Sequence, residues 1–334
     1  EQQQQQQHTK IKLFEKYPHL EEIKCHYKPG TKEANDHFKD RPLHRLMHDD
    51  NPYLFSGYRK LPVNSLRNSF WSAFTLHNDT WNIWTHGLPV LYWIYVTVAT
   101  EYELRHSTDV RVTLNDRIVF FFYAFCAMWT MILSAMYHTW RMNSEHAYHY
   151  CLKCDLRGIV MTLAGANVLI SYLVLRDLPF WRTFYLTMSL AGLVALALWI
   201  PKMVRLRLTN QRTIYFTFYT FIGLVATLHR HFILVPWEQP LLSTTTTTVT
   251  AVVNAVYQTS GQVTFQLLIV LAVVYALTGT GLVVRNIKAP ERFFPYTFDY
   301  HGSSHQLFHI ICVIGAIVNY VWVLDMYRAG AFFP

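Results

Sequence analysis

Residues 117–138 read RIVFFFYAFCAMWTMILSAMYH, an almost unbroken apolar run in which Arg117 is the only formally charged residue. At a rise of about 1.5 Å per residue, a helix of this length crosses the hydrocarbon core of a bilayer, which is about 30 Å thick. Lipid offers no hydrogen bonds to the backbone, so the run predicts a membrane-spanning α-helix. The run ends in His138, a polar residue at the edge of an apolar environment and therefore a candidate functional residue.

Six more apolar runs of similar length occur after Trp71, and they extend the prediction from one helix to a bundle. The seven predicted spans are 82–102, 117–138, 156–176, 180–201, 213–235, 263–284 and 304–326. The composition agrees, since 52% of the residues are hydrophobic and 15% are charged, against about a quarter charged in soluble proteins. We therefore predict an all-α integral membrane protein with a seven-transmembrane helix bundle. Before the sixth span, the threonine run Thr244–Thr248 and the β-branched stretch 251–257 (AVVNAVY) predict an unusual loop.

The N-terminal part of the chain differs from the rest in composition. Residues 1–68 are polar and charged, which predicts a cytosolic domain or loosely ordered arm ahead of a transmembrane domain at 69–334. The glutamine tract Gln2–Gln7 is low-complexity sequence, for which we expect disorder. The formal net charge is +8, yet the basic residues lie in short segments between apolar runs, as topogenic charges do. This distribution excludes nucleic acid and indicates the lipid bilayer as the partner.

The distribution of Lys and Arg over the loops predicts which side of the membrane the N-terminus faces. The loops on the N-terminal side carry nine: Arg141, Lys153, Lys202, Arg205, Arg207, Arg212, Arg285, Lys288 and Arg292. The loops on the other side carry six: Arg105, Arg111, Arg117, Arg176, Arg182 and Arg328. Basic loops stay in the cytosol, so the count favours a cytosolic N-terminus. The glycosylation pattern Asn78-Asp79-Thr80 then faces the cytosol and stays unmodified.

Two of the predicted helix ends place histidines at the same membrane depth. His138 ends the second span, while His305 and His309 begin the seventh and, four residues apart on a helix, share one face. Three imidazoles with an open fourth position are the usual ligand set of catalytic zinc. The sequence thus predicts a zinc site near the cytosolic face if these helices are neighbours. Taken alone, the pair His305 and His309 is more typical of a helix end at the membrane surface, so the metal site depends on His138 lying beside it.

Two more polar residues lie at this level of the predicted bundle. Asp155 begins the third predicted span, and we expect its carboxylate to orient or deprotonate a water at the metal. Ser134, one turn before His138, is a candidate hydrogen-bonding partner of a ligand or of a substrate carbonyl. The alternatives for Asp155 are an ion pair with Arg157 and a carboxylate at a helix N-terminus.

Other polar clusters compete with this site. The stretch 146–154, HAYHYCLKC, contains two histidines and two cysteines. Structural zinc sites draw their ligand pairs from segments separated by a loop, so surface and helix-start residues are the favoured interpretation of this crowded stretch. Asn82 and His86 lie one turn apart, and we expect them to pack against the cytosolic side of the site rather than to bind metal.

These motifs resemble those of the progestin and adipoQ receptor family, within the wider haemolysin-III superfamily that includes the alkaline ceramidases. The resemblance rests on SAMYHTW followed by Asp155, a Ser-x-x-x-His then Asp pattern, and on the His-x-x-x-His pattern of HGSSHQLFH. NPYLFSGYR, HNDTWNIWTH and KAPERFFP agree as well, so that the match spans about residues 51–326. DNPY, APERFFP and GSSHQ are similar to the adiponectin receptors and to their Golgi-resident relative that tethers Raf kinase.

The resemblance implies a seven-helix fold with a cytosolic N-terminus and a zinc ion, Zn2+, held by His138, His305 and His309 with a water near Asp155. It also implies a lipid-exposed cavity and, as in some members, slow hydrolysis of the amide bond of ceramide.

Two residues depart from the family pattern. Leu156 follows the aspartate where relatives commonly have Tyr, and Trp81 stands where Gly is usual. Neither is one of the ligand residues, so these departures bear on the substrate rather than on the metal.

Two functions of different classes remain open, since one fold hosts several functions. The first is a zinc-dependent lipid amidohydrolase of the ceramidase type, acting on a lipid ligand or substrate. The second is a signalling receptor or membrane scaffold with structural zinc, an extracellular protein or steroid ligand, and a cytosolic partner such as a kinase at residues 1–68. Either would be a multi-pass protein of the plasma membrane or of the Golgi and other endomembranes. A G-protein-coupled receptor is disfavoured because a cytosolic N-terminus inverts that topology.

Overall fold

The computed structural model describes residues 20–21, 42–59, 65–234 and 247–333, and long helices dominate them. The helices are α1 (Pro42–Asp50), α2 (Leu66–Ser72), α3 (Thr80–Gly87), α4 (Pro89–Arg105), α5 (Leu114–Trp140), α6 (Glu145–Val174), α7 (Pro179–Arg205), α8 (Thr209–Thr220), α9 (Ile222–His229), α10 (Thr247–Ile287) and α11 (Ser304–Arg328), with a π-helical turn at Arg230–Leu234 after α9. The strands β1 (Leu20–Glu21) and β2 (Tyr58–Arg59) form one short antiparallel pairing. The prediction of an all-α protein is confirmed apart from this pairing; the glutamine tract Gln2–Gln7 lies outside the described residues.

Side-chain caps start two of the long helices. Ahead of α5, the Thr113 N–H and hydroxyl donate to Asp116 Oδ2 at 2.6 and 2.8 Å, and the Asp116 N–H donates back to the Thr113 hydroxyl at 3.3 Å. This reciprocal pair satisfies N–H groups that a first helical turn leaves without partners. Ahead of α6, the Ser144 hydroxyl accepts from the Ala147 N–H at 3.1 Å. Each cap fixes the residue at which its helix begins. In α5, the length of the helix then places His138 in the last turn.

Five helices in the described part of the chain are long and apolar enough to cross a membrane. They are Leu114–Trp140, Glu145–Val174, Pro179–Arg205, Gly261–Ile287 and Ser304–Arg328. These helices cover the second, third, fourth, sixth and seventh predicted spans. The chain is therefore a multi-pass integral membrane protein, as its composition predicts.

The first and fifth predicted spans lie on interrupted helices. Residues 82–102 are divided between α3 and α4, because Pro89 has no N–H to donate to the preceding turn. Residues 213–235 begin within α8, continue through α9 and reach the π-helical turn at Arg230–Leu234. Neither stretch forms the single continuous helix that the apolar pattern predicts, because hydropathy detects apolar length and not breaks in the hydrogen-bond ladder.

The loop predicted before the sixth span is wrong over its second part. The backbone is helical from Thr247 onward, so the stretch 251–257 lies within α10; residues 244–246 are outside the described residues. No Gly or Pro occurs between Thr247 and Ser260 to end a helix, and β-branched residues cost about 0.5 kcal/mol each relative to Ala in a helix. That cost is small enough for a long apolar helix to include them.

The chain divides into two compact units, each built from separated segments. The first comprises described residues of Glu1–Leu88, Ile132–Asp155 and Gly279–Ile311, and the second comprises those of Pro89–Met131, Leu156–Thr278 and Cys312–Pro334. A small core in the first unit is formed by Leu43, Met47, Tyr58, Tyr137, Met142 and Tyr148. All three candidate histidine ligands belong to this first unit.

A buried aromatic cluster lies in the core of the second unit. The Trp93 ring centroid lies 6.0 Å from that of Tyr123 and 5.6 Å from that of Tyr320, and the two tyrosine rings stack at 5.8 Å. The Tyr123 hydroxyl also donates to the backbone carbonyl of Ala316 at 3.0 Å. These contacts tie α4, α5 and the later part of α11 together.

The segments of α5 and α6 within this unit approach each other closely at a glycine. A Cβ added at Gly165 would lie 3.1 Å from the Cβ of Cys126 and 3.1 Å from the Cα of Tyr123. Nearby, the Thr130 hydroxyl contacts the carbonyl oxygen of Gly158 at 2.5 Å. Small residues at such contacts let membrane helices pack at short range.

Replacing this glycine is expected to separate the two helices. Gly165→Leu should destabilise the protein by about 1–3 kcal/mol, the usual cost of overpacking, seen as a lower melting temperature of the purified protein in detergent. Gly279→Leu is the matched control, since no atom of the described residues outside its own helix backbone and chain neighbours lies within 4 Å of a Cβ at Gly279. Equal melting temperatures for the two variants would contradict the close approach.

Candidate metal centre

Three imidazoles come together in the first unit. One ligand atom from each of His138, His305 and His309 lies within 4.8 Å of the others. The ring centroid of His138 lies 5.1 Å from that of His305 and 5.1 Å from that of His309. The centroids of His305 and His309 lie 4.5 Å apart. His138 is 0% and His309 is 3% exposed. The structure therefore brings together the three histidines that the sequence singled out.

Local structure explains the convergence. His305 and His309 lie in the first turns of α11, four residues apart, which places both on one face of the helix. His138 lies in the last turn of α5. A helix start and a helix end thus supply the three rings.

Hydrogen bonds to Nδ1 orient two of the rings. His138 Nδ1 lies 3.1 Å from Asp79 Oδ1, and a carboxylate accepts, so this nitrogen donates. His309 Nδ1 lies 3.3 Å from the Thr85 hydroxyl oxygen, whose own hydrogen goes to the Trp81 carbonyl at 2.6 Å. In both neutral rings the hydrogen is therefore on Nδ1, and Nε2 keeps the lone pair that binds a metal.

Asp79 is the residue that sequence reasoning missed. It precedes α3 and is fully buried, and its carboxylate accepts hydrogen bonds from Arg141 Nη2 at 2.5 Å, Arg141 Nε at 2.9 Å, Arg59 Nη2 at 3.1 Å and Asn82 Nδ2 at 3.1 Å. Burial by itself raises the pKa of the Asp79 carboxyl, but Arg141, His138 and Arg59 outweigh it and hold the pKa well below the usual value. The group is therefore an ionised partner for His138. Asp79 lies in two patterns of the sequence, Asn78-Asp79-Thr80, which indicates glycosylation, and HNDTWNIWTH, which carries the family resemblance; neither pattern shows that its carboxylate contacts His138.

Arg59 links this carboxylate to the end of α5. Its Nη2 donates to the backbone carbonyl of His138 at 2.9 Å and its Nη1 donates to that of Thr139 at 2.9 Å. The last carbonyls of a helix have no partners within the helix, so the guanidinium satisfies them while it pairs with Asp79. The backbone and the ring of His138 are held by the same ion cluster.

A second buried carboxylate holds the start of α11. Glu291, from the KAPERFFP motif, is 0% exposed. It accepts from the Ser304 N–H at 2.7 Å and from Asn51 Nδ2 at 2.8 Å, and also from the Ser304 hydroxyl. A negative charge at a helix N-terminus is favourable, and this one fixes the turn that carries His305.

His86 and Asn82 take the packing roles expected of them. The His86 ring stacks on His309 with centroids 3.8 Å apart and planes 10° apart. Asn82 bonds to Asp79, as described above. Both residues come from α3, which therefore covers one side of the centre.

The arginine next to the centre was not anticipated. Arg285, near the end of α10, donates from Nε to His305 Nδ1 at 3.1 Å. His305 Nε2 in turn lies 3.3 Å from His138 Nε2. The third imidazole thus has a cation, and not a carboxylate or hydroxyl, on its outer nitrogen.

Asp155 and Ser134 lie on the helices that surround the centre. Asp155 is half-buried and falls well inside α6, which begins at Glu145, so the alternative of a carboxylate at a helix N-terminus does not hold. It is not part of the group of ligand atoms within 4.8 Å. Ser134 is 2% exposed, one turn before His138. The catalytic roles of both residues stay predictions.

No second metal cluster occurs among the described residues. Within the described residues, His138, His305 and His309 are the one group of three or more His, Cys, Asp or Glu side chains whose ligand atoms lie within 4.8 Å of one another. His146, His149, Cys151 and Cys154 follow one another in the first turns of α6. Their position agrees with the favoured interpretation as helix-start residues.

The donor set fits a divalent metal such as zinc. Tetrahedral zinc binds imidazole nitrogens at about 2.0–2.1 Å, which puts two such nitrogens about 3.3 Å apart. The Nε2 atoms of His138 and His305 are separated by 3.3 Å. A carboxylate behind a ligand imidazole, as Asp79 lies behind His138, is the usual outer partner of a metal-binding histidine.

Removing the Asp79 charge is expected to weaken both the centre and the fold. Asp79→Asn should lower metal affinity by about 10–100-fold, as changes to such outer partners do. It should also destabilise the protein by about 3–5 kcal/mol, because two buried guanidinium groups lose their counter-charge. Zinc titration and thermal unfolding in detergent measure the two effects.

The control is Asp109→Asn, which removes a carboxylate from an exposed ion pair with Arg111; this variant should match the wild type in both measurements. Wild-type zinc affinity in Asp79→Asn would show that the carboxylate does not orient His138.

Comparisons with known proteins identify the family of this chain. Residues 74–267 and 241–320 match the family described as "Haemolysin-III related". The chain is 26% identical to "Heptahelical transmembrane protein 1" of Arabidopsis thaliana, over 82% of this chain and 76% of that protein. It is 27% identical to "Adiponectin receptor protein" of Drosophila melanogaster, over 87% of this chain and 59% of that protein. It is 28% identical to "Progestin and adipoQ receptor-like protein 1" of Caenorhabditis elegans, over 83% and 58%. The chain thus spans less than two thirds of the fly and worm proteins. From the family match and these relatives, it belongs to the haemolysin-III-related family, in the superfamily of the progestin and adipoQ receptors.

Proposed function

We propose that this protein is a seven-helix, receptor-like membrane protein whose intramembrane zinc site hydrolyses a lipid amide such as ceramide. The observation that carries the proposal is the triad of His138, His305 and His309, whose ligand atoms lie within 4.8 Å of one another. Three neutral imidazoles in an apolar protein interior are costly unless they serve a purpose. Binding a catalytic metal is the purpose that their geometry fits.

Seven crossings follow if the two interrupted stretches also span the membrane. Residues 80–105 and 209–234 are then the first and fifth crossings, since broken helices are tolerated where protein covers the break. The printed name of the plant relative, a heptahelical protein, supports this count. The basic loops then place the N-terminus, residues 1–68 and the metal centre at the cytosolic side, in the plasma membrane or in the Golgi and other endomembranes.

The chemistry needs a water, a proton carrier and a polarised carbonyl. When bound, zinc supplies a Lewis acid for the amide carbonyl and lowers the pKa of its water to about 7. His138, His305 and His309 would hold the ion, and three protein ligands are the usual set of a catalytic zinc site. Asp155 takes a proton from the attacking water and delivers it to the leaving nitrogen as the C–N bond breaks and the water oxygen bonds to the acyl carbon. Ser134 donates to the carbonyl oxygen. The products are a fatty acid and a sphingoid amine.

The second candidate function is a receptor or scaffold in which zinc is structural. The ion cluster of Asp79, Arg59 and Arg141 favours it, because this cluster ties His138, at the end of α5, to β2 and to the start of α3, as a structural clasp would. The names of the fly and worm relatives are those of receptors. On this reading, the ligand is an extracellular protein or a steroid, and residues 1–68 bind a cytosolic signalling protein such as a kinase.

Metal content tests the site itself. His305→Ala and His309→Ala should each remove zinc and lower the melting temperature, since a metal bound only by the folded state stabilises it. His301→Ala, an exposed histidine just before α11, should retain zinc. Zinc near one per chain in both ligand variants would refute the assignment.

Turnover of ceramide separates the two functions. Asp155→Ala should keep zinc but lose hydrolysis, because the proton carrier is gone, whereas Glu145→Ala at the exposed start of the same helix should keep both. The measurement is release of fatty acid by the detergent-purified protein. Zinc-loaded wild type that turns over no faster than Asp155→Ala would favour the receptor or scaffold.

A further inference from the structure

Arg285 contacts the centre in a way that a metal would not allow. Its Nε–H donates to His305 Nδ1 at 3.1 Å. A guanidinium has five N–H donors and no acceptor, and it stays charged in proteins. His305 Nδ1 must therefore offer a lone pair here, and the single hydrogen of this neutral ring must be on Nε2.

The other hydrogen bonds are consistent with that assignment. Asp79 requires the hydrogen of His138 on Nδ1, so His138 Nε2 has a lone pair, and it lies 3.3 Å from His305 Nε2. The His305 N–H donates to it. A continuous chain results, in which Arg285 donates to His305, His305 donates to His138, and His138 donates to Asp79. Each of these donors has an acceptor, and the chain begins with a cation and ends with an anion.

A metal at the triad breaks this chain at both hydrogen bonds of His305, because it takes the place of the hydrogen between His305 Nε2 and His138 Nε2. Binding through His305 Nε2 moves the ring hydrogen to Nδ1, where it would point at the Arg285 N–H, so the two donors would repel each other. Binding through His305 Nδ1 fails as well, since Arg285 already occupies that lone pair. His138 and His309 need no such change, because their hydrogens are already on Nδ1. The conflict is therefore confined to His305 and Arg285.

Arg285 has a second partner toward which it can turn. Its Nη2 lies 3.9 Å from Asp50 Oδ1 at the end of α1, and its guanidinium carbon lies 5.4 Å from the Phe308 ring centroid. The Asp50 side chain is 36% exposed and that of Arg285 is 21% exposed, so the pair is open to rearrangement. A full ion pair with Asp50 would compensate the arginine for its lost contact with His305.

We propose that Arg285 is a latch that competes with the metal for His305: it holds the centre in a metal-free hydrogen-bonded form and turns to Asp50 when metal binds. Arg285 is a positioning residue, acting on the metal through His305. The inference rests on the proposed metal function. The latch lowers the metal affinity of the centre below the affinity that three imidazoles without Arg285 would have. A movement of α1 or of the end of α10 would change the position of Arg285 and therefore the metal occupancy.

The test compares charge with hydrogen bonding. Arg285→Gln removes the obligatory donor and supplies an amide oxygen that accepts from His305 Nδ1–H. Lys288→Gln is the matched control. It removes one positive charge at the same end of α10, and the hydrogen bond from Arg285 to His305 remains. Arg285→Met, which keeps an unbranched stem, serves as a second variant if the first folds poorly. Zinc affinity of the full chain in detergent is measured by competition with a fluorescent chelator.

We expect Arg285→Gln to bind zinc at least about tenfold more tightly than the wild type, in the range of outer-partner effects, and Lys288→Gln to gain much less. Zinc should also raise the melting temperature of Arg285→Gln more than that of the wild type, although the zinc-free variant melts lower because the chain of hydrogen bonds is broken. A residue with a purely structural role would lower both melting temperatures and leave the zinc-induced shift unchanged.

Equal gains in Arg285→Gln and Lys288→Gln would overturn the latch, since plain charge repulsion would explain both. Weaker zinc binding in Arg285→Gln would overturn it as well, because Arg285 would then support the metal. In both cases the metal function itself would stand. Absence of zinc binding in the wild type and in every variant would instead overturn the metal function and the latch together.

Discussion

The candidate metal centre depends on one buried carboxylate. Asp79 is 0% exposed, and an ion in such a place is tolerable only when it is paired and fully hydrogen-bonded. Two arginines, one asparagine and one histidine satisfy it. Because those partners come from β2, from the segment after α5 and from α3, the carboxylate can be satisfied only when these segments are in place. The ion cluster therefore specifies both the fold around the centre and the orientation of the His138 ring.

A buried carboxylate also holds the start of α11, where the residue is Glu291. Glu291 satisfies the first turn of the helix that carries His305 and His309, as Asp79 satisfies the residues around His138. Glu291 accepts directly from the first turn of α11, whereas Asp79 holds Arg59, which donates to the last carbonyls of α5; these backbone groups have no partners within their helices. Rings that must meet within a few ångströms are thus placed by rigid helix ends, with charged groups fixing both ends.

The hydrogen-bond pattern makes the centre asymmetric. Carboxylate and hydroxyl partners prepare His138 and His309 for a metal, whereas a guanidinium prepares His305 for a hydrogen bond. The same 3.3 Å separation between Nε2 atoms suits either a shared metal or a shared hydrogen. On the latch proposed above, the same residues have two arrangements, one with a metal and one without, and the choice between them depends on Arg285, a side chain outside the histidine triad. That dependence would suit a receptor as well as an enzyme.

The sequence by itself determined that this is an α-helical membrane protein, because a continuous apolar run long enough to cross the bilayer is visible in the sequence and must be helical in lipid. It also predicted the three histidines that the structure brings together, since two histidines four apart share a helix face and the third ends an apolar run at the matching depth. Tertiary structure decided the rest. The breaks at Pro89 and around Arg230 depend on local hydrogen bonding that hydropathy does not register, and the helical state of 251–257 followed from the absence of a breaker. The motifs HNDTWNIWTH, NPYLFSGYR and KAPERFFP contain Asp79, Arg59 and Glu291, but the motifs do not reveal the roles of these residues, and no motif marks Arg285. A charged residue outside an apolar run looks like a solvated one until the fold buries it against a partner far away in the chain.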